Sequence, residues 1–169
     1  MVTTRIIHVL SNGPSLATRS PPDDGHCRIG INLAAKTVPE VDWWCFGDQI
    51  VWQKALAAQV PPPAVGYVCA QHAANIPTPY KNRLIMLWEW LWMPEDLGYS
   101  ANIGIWAAAT FRAEEIHLWG FDHDGPRYAD GSEVDVTGTC IADRWEREKR
   151  FFDRTCQLVA ERGFRIVRH

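Results

Sequence analysis

The sequence holds no CxxC pair, no excess of basic charge, no internal repeat and no apolar run long enough to cross a bilayer. Each absence removes a class of function. The five cysteines, at 27, 45, 69, 140 and 156, are dispersed and odd in number. They read as buried free thiols in a reducing compartment, not as a disulfide framework. Neither they nor the six histidines show the spacing of a structural zinc site. A formal charge of −3, from 17 Lys and Arg against 20 Asp and Glu, gives no general attraction to a phosphate backbone. Sequence-independent nucleic-acid binding is therefore not expected. The apolar run at 84–93 is too short for a membrane span and contains Glu89. The short apolar stretch near the start is broken by Asn12-Gly13-Pro14, so it reads as a strand and not as a secretory signal. The expectation is a soluble, cytoplasmic protein.

What is present is an ordinary globular composition, 47% hydrophobic and 22% charged over 169 residues, enough for one domain spanning 1–169 with a real core. Pro61-Pro62-Pro63 is stiff, but the segments on both sides are too short to fold alone, so it reads as a loop inside that domain. Short apolar runs alternate with helical patterns. Strands are expected at 5–10, 28–32, 42–46, 65–69, 115–120 and 164–167, and helices at 49–59, 100–111 and 141–161. The segment 82–91 fits either. The helix at 100–111 carries Ala101, Gly104, Ala107, Ala108 and Ala109, small residues that let it approach a sheet closely, with Ser100 as its expected N-cap. The last helix is amphipathic through Ile141, Trp145, Phe152, Cys156 and Val159, and Gly163 stands where a helix stops. Strand, glycine-bearing loop and helix, repeated, imply a Rossmann-like three-layer α/β/α domain with a mostly parallel central sheet. In such sheets a ligand sits beyond the carboxyl ends of the strands.

The unusual residues stand in those strand-end loops. After the first strand comes Ser11-Asn12-Gly13-Pro14-Ser15-Leu16, where Gly13 permits close backbone approach and Ser15 opens a helix whose N–H groups can face an anion. Asn32 ends the second strand, and its amide can bind a base edge, a ribose or a phosphate; as a lone residue it equally forms a turn. Gly98-Tyr99-Ser100-Ala101-Asn102 joins a helix N-terminus to hydroxyl and amide donors, an anion site or an ordinary cap. Gly120-Phe121-Asp122-His123-Asp124-Gly125 places two carboxylates around a histidine directly after an apolar strand. Asp122 and Asp124 can hold a divalent cation such as magnesium, or Asp122, His123 and Asp124 can supply a catalytic base. Such a loop is also a common turn. His8, His26, His72 and His117 have no evident sequence partners and read as structural or solvated. Nine tryptophans are many for this length; Trp43, Trp44, Trp88, Trp90, Trp92 and Trp119 lie in strand-like runs that suit core packing, or one of them stacks on a base.

Together these loops resemble two related groups. One is the bacterial family-42 sialyltransferases; the other is the archaeal 6-hydroxymethylpterin diphosphokinase-like family, to which many uncharacterised phage and bacterial proteins are similar. The resemblance rests on Asn12-Gly13-Pro14-Ser15-Leu16, Asn32, the small-residue helix from Ser100 and Leu118-Trp119-Gly120-Phe121-Asp122, and runs in order over 5–168. It implies a nucleotide-dependent transferase, with Asn12, Gly13, Ser15, Asn32 and Ser100 on a nucleotide or nucleotide sugar of the CMP type. It further implies a tyrosine on the departing phosphate, for which Tyr128 is the candidate, and a histidine base near the final helix. The segment 137–140 lacks that histidine, and the nearest candidates are His123 and Asp143. The sialyltransferases need no metal, so a metal at Asp122 and Asp124 would point to diphosphoryl transfer. Other readings are a module that binds or sequesters a nucleotide without catalysis, and a Trp-rich interaction domain. The acceptor and the oligomeric state are not written in the sequence.

Overall fold

The computed structural model describes residues 5–47, 49–69, 84–86, 99–134 and 140–169. Seven strands form one sheet, β1 Ile6–Leu10, β2 Cys27–Ile31, β3 Trp43–Phe46, β4 Gly66–Cys69, β5 Leu84–Met86, β6 Glu115–Trp119 and β7 Arg165–Arg168, in the order β5-β4-β3-β2-β1-β6-β7. The expected sheet is mostly parallel; every pairing found is parallel. The chain steps outward from β1 to β5, then returns to β6 on the other side of β1. The order reverses between β1 and β6, and that reversal opens the crevice where a ligand fits.

Alternation along the strands sorts the core into layers. Ile7 and Val9, Ile29 and Ile31, Cys45, and Ile116 and Leu118 face one side. There they pack against α3 (Ser100–Thr110) and α4 (Ile141–Glu161). On the other side Leu10 and Trp119 meet Leu16 of the 3-10 helix Pro14–Ala17 and Ala34 and Ala35 of α1 (Ala34–Thr37). Trp44, Phe46 and Tyr67 meet Ala55 of α2 (Gln49–Ala57) on that side as well. This is the expected three-layer arrangement, a Rossmann-like α/β fold.

The small residues of α3 act as anticipated. Gly104 lies so close to the sheet that a Cβ there would stand 2.7 Å from Ile31 Cδ1 and 3.2 Å from Val9 Cγ1. The helix buries eight consecutive residues, Asn102 to Ala109, so it is sandwiched and not amphipathic. Gly163, at φ +91°, follows the last residues of α4 as expected.

Several expectations need correction. Tyr99, not Ser100, is the N-cap of α3, and Ser100 is its first helical residue, with its hydroxyl turned to the end of β3. The four-residue α1 had no periodic signal to announce it. Within the ambiguous segment 82–91 the residues described form a strand. The rest of it lies outside the described residues, as do His72, Trp88, Trp90, Trp92, Gly98 and 137–139. Cys27, Cys45, Cys140 and Cys156 are free thiols, but only Cys45 and Cys156 are buried as expected; Cys27 is half-buried, and Cys140 is exposed at the start of α4. Burial pushes the Cys27 thiol up to about 12, with the Asp42 carboxylate adding to it, so this cysteine is inert. Among the described residues no helix is long and apolar enough to cross a membrane.

Candidate functional site

The loops after β1 and β6 are built as one unit. Ser11 N–H donates to the Trp119 carbonyl and Gly13 N–H to the Gly120 carbonyl, each at 2.8 Å. Asp122 then accepts the Ser15 N–H at 2.8 Å. A Cβ on Gly13 would fall on the Gly120 carbonyl oxygen and the Asp122 carboxylate. Gly13 has φ −60°, so it is needed for close approach and not for a left-handed turn. Gly120, at φ +71° and with its Cβ position 2.6 Å from the Ser11 carbonyl oxygen, is needed for both reasons.

The anion cradle expected at Ser15 therefore exists, and it holds the protein's own Asp122. Ser15 contributes its backbone N–H to that contact, and the N-cap residue of the 3-10 helix, Gly13, has no side chain to cap it. Asp122 thus braces the two loops through Oδ2. Asp124 is exposed at the edge of the cleft. Among the described residues no group of three His, Cys, Asp or Glu side chains is placed to hold a metal ion, so the expected magnesium site has no donor set there.

Above these loops lies an open cleft of about 1130 Å³. Asn12, Gly13, Asn32, Ser100, His123 and Asp124 all line it, so residues far apart in sequence meet as expected. Three of the expected site residues do not line it: Ser15 and Asp122, which meet each other beneath the loops, and Asn102, which is 1% exposed and faces the interior of the fold.

The two asparagines are built alike. The Asn32 N–H donates to the Cys45 carbonyl at 2.8 Å, and its carbonyl accepts the Trp44 indole N–H. The Asn12 carbonyl accepts the Ala129 N–H at 2.8 Å. Both backbone carbonyls are engaged, yet the side-chain oxygens Asn12 Oδ1 and Asn32 Oδ1 are buried with no hydrogen-bond partner. A buried unpaired amide oxygen costs about 1–3 kcal/mol, which makes it expensive to keep without a ligand. Asn32 also has φ +52°, in the left-handed region that asparagine enters more readily than most residues.

The third wall is the start of α3. Ser100 Oγ accepts the Gly47 N–H at 2.9 Å, which ties the helix to the end of β3. The first turn presents backbone N–H groups that have no intrahelical partner, at the positive end of the helix dipole. Tyr99, Ser100 and Ala101 border the cleft at this point.

The fourth wall was mostly unexpected from sequence. A hairpin-like loop joins Tyr128 N–H to the Ser132 carbonyl at 2.8 Å and Val134 N–H to the Pro126 carbonyl at 3.0 Å. Asp130 at its tip accepts from Lys36 Nζ at 2.6 Å and from the Ser132 hydroxyl at 2.6 Å. Burial works against the Asp130 charge, but these donors outweigh it and hold the carboxyl below its ordinary range. Tyr128 accepts from Arg144 at 3.1 Å, and Arg144 also donates to Glu148 at 2.8 Å. Tyr128, Arg144, Trp145 and Arg147 all face the cleft. The arginines could have been flagged as an exposed basic edge of α4, but nothing in the sequence shows that the hairpin carries Tyr128 to them.

His123 rests where the cleft meets α4. Its ring lies 4.9 Å from that of Phe152 and 6.3 Å, edge-on, from that of Trp145. Burial lowers its pKa below the ordinary value, against the pull of Glu148, Asp153 and Asp122, so the imidazole is neutral at pH 7. Its backbone is at φ +49°, an unusual conformation for a histidine that aims the ring from the strand end toward the helix.

No family model and no curated protein matches the chain. Solved structures do. The sialyltransferase CstII from Campylobacter jejuni, in complex with the substrate analogue CMP-3FNeuAc, is similar with a TM-score of 0.59 at 12% identity, over 98% of this chain and 81% of that one. A variant of that sialyltransferase in complex with CMP gives 0.61 at 12% identity, over 98% and 81%. The same enzyme with a trisaccharide acceptor and CMP gives 0.57 at 11% identity, over 96% and 80%. At this identity the likeness is one of fold, and over nearly its whole described architecture the chain has a sialyltransferase-like Rossmann fold.

Proposed function

We propose that the protein is a nucleotide-dependent glycosyltransferase whose donor is a nucleotide sugar of the CMP type. The observation that carries this reading is the pair of buried, unpartnered amide oxygens of Asn12 and Asn32, set on adjacent strand-end loops around one cleft. A ligand that presents N–H or O–H groups there satisfies both, and a ribose or a cytosine edge does so. The likeness in fold to structures that hold CMP or CMP-3FNeuAc supports that choice of ligand.

The chemistry then follows from the walls. Asn12 and Asn32 hold the nucleoside, and the first turn of α3 beside Ser100 faces its phosphate. An acceptor hydroxyl attacks the anomeric carbon, the bond from that carbon to the phosphate oxygen breaks, and the hydroxyl proton passes to neutral His123. Negative charge grows on the departing phosphate, where the α3 N-terminus, Arg144 and the Tyr128 hydroxyl oppose it. Asp122 acts through the loop it braces.

A thermal-shift screen with CMP, CDP, UDP, GDP, ADP and ATP, each with and without magnesium, tests the reading. A ligand at a hundredfold its dissociation constant adds about 2.7 kcal/mol of stability. A shift with CMP that needs no magnesium is expected. A magnesium-dependent shift with ATP alone would replace glycosyl by diphosphoryl transfer, and no shift with any nucleotide would end both.

A further inference from the structure

On the face of the sheet opposite α3 and α4, a histidine is wired to the loops of the cleft. His8 in β1 is 1% exposed. Its Nδ1 accepts the Trp119 indole N–H at 3.1 Å, so the ring proton sits on Nε2, which donates to Asp24 Oδ2 at 3.1 Å. Both nitrogens are in use, and the neutral tautomer is fixed by its neighbours. Trp119 is the last residue of β6, 8% exposed, with its ring stacked on His169 at 3.7 Å. Its carbonyl holds the Ser11 N–H, and the carbonyl of the next residue, Gly120, holds the Gly13 N–H. The chain of contacts runs from a buried imidazole to the loop that carries Asn12.

We propose that His8 is a positioning residue for the cleft: its unprotonated Nδ1 holds Trp119, Trp119 holds the β1 and β6 loops in register, and a proton taken up at Nδ1 releases them. A second proton puts an N–H against the indole N–H, so that hydrogen bond is lost and Trp119 Nε1 becomes a buried donor without an acceptor. Around His8 stand Asp24 and His26 from the loop before β2, Arg28 in register on β2, and His117 in register on β6. Arg28 is engaged by Asp23 and Glu40, and His117 by Glu115 and His169. Asp24 favours the charged imidazole, while burial, the larger influence, and the neighbouring histidines oppose it, and the balance lies below the ordinary histidine value. What the cleft binds is taken from the function proposed above, but the coupling from His8 to the loop is a property of the free protein.

The experiment follows the Trp119 indole N–H, the amides of Ser11, Gly13 and Gly120 and the histidine ring signals by NMR in isotope-labelled full chain, from pH 8 down to about pH 5. The indole and the three amides should move together with the midpoint of His8. In His8→Asn, which keeps an acceptor at the Nδ1 position and cannot take a proton, the common transition should vanish. Loop amides that stay still while His8 titrates overturn the proposal. So does a transition that persists in His8→Asn, since the proton would then sit on His117 or His169. If that variant does not fold, the wild-type ring signals still decide whose midpoint the loop follows. Adding CMP at pH 8 separates the two readings. Without shifts at Asn12 and Asn32 the nucleotide assignment fails, and the ligand-free titration still decides the role of His8.

Discussion

Asp122 accepts the backbone N–H of Ser15 across the junction of the β1 and β6 loops, at 2.8 Å. A carboxylate that sequence alone offers as a metal ligand thus serves as a strut. Asp122→Ala leaves that N–H without its acceptor and should cost about 1–3 kcal/mol of stability. Asp122→Asn retains an oxygen and should cost less. Urea unfolding of both variants checks this, and equal, negligible losses would restore Asp122 to the pool of catalytic candidates.

Two glycines mark close backbone approaches, and their replacement should separate two kinds of failure. Gly104→Ala pushes a methyl toward the Ile31 side chain, which has some freedom to shift, so a loss of about 1–3 kcal/mol is expected. Gly13→Ala drives its methyl onto a carbonyl oxygen and a carboxylate. The loops must part, and nucleotide binding should be lost along with stability. Melting temperatures with and without CMP distinguish them, since Gly104→Ala should retain the CMP shift.

The asparagines make a sharper claim, because removing their amides should weaken binding without weakening the fold. Asn12→Ala deletes a buried oxygen that has no partner in the free protein. At position 32 the matching change is Asn32→Gly, which keeps φ +52° accessible, whereas alanine adds strain. Each should lower CMP affinity about tenfold or more, one good hydrogen bond to a buried group being about 1.5 kcal/mol, while unfolding free energy stays within about 0.5 kcal/mol. Titration calorimetry and urea unfolding on the same samples supply both numbers. Unchanged affinity in both variants removes the nucleoside from this part of the cleft.

These contrasts also explain what the sequence could and could not disclose. Periodicity placed α4 at its observed bounds and β1 to β4, β6, β7, α2 and α3 within a residue or two, because burial of alternate or every third and fourth residue leaves a regular trace; the four-residue α1 and the three-residue β5 are too short to leave one. Asn12 and Asn32 stand out in the sequence because they follow apolar strands, and Ser100 because it opens a small-residue helix. Their orphaned oxygens, and the use of Ser100 as a tie to Gly47, depend on partners distant in the chain. His8 gave no signal for the same reason: its partners are Asp24, sixteen residues away, and Trp119, 111 residues away. Nothing in the sequence links Tyr128 to Arg144, and only the hairpin-like loop brings them to one hydrogen bond.

Stability should fall with acid in two steps. His8, His123 and His169 all have pKa values lowered in the fold, chiefly by burial, so below the unfolded value of about 6.5 the unfolded chain binds more protons than the native one. Their contribution is complete above that pH, declines as pH falls through it and levels off below the folded values. Asp24, Glu115 and Asp130 have lowered carboxyl pKa values as well. For Glu115 the His117 hydrogen bond is the leading cause; for Asp24 and Asp130 burial pushes upward, and hydrogen bonds from His26 and His8, and from Lys36 and Ser132, more than reverse it. Their contribution persists above about pH 4 and is lost only below it. Urea midpoints taken from pH 8 to pH 3 should therefore show a plateau, a first decline beginning near pH 6.5 and a steeper one near pH 4. In His8→Asn the first decline should shrink while the second remains. A midpoint that rises between pH 7 and pH 5 would mean that these histidines are held by their carboxylate neighbours as cations, and the neutral, tryptophan-locked state of His8 would have to be given up.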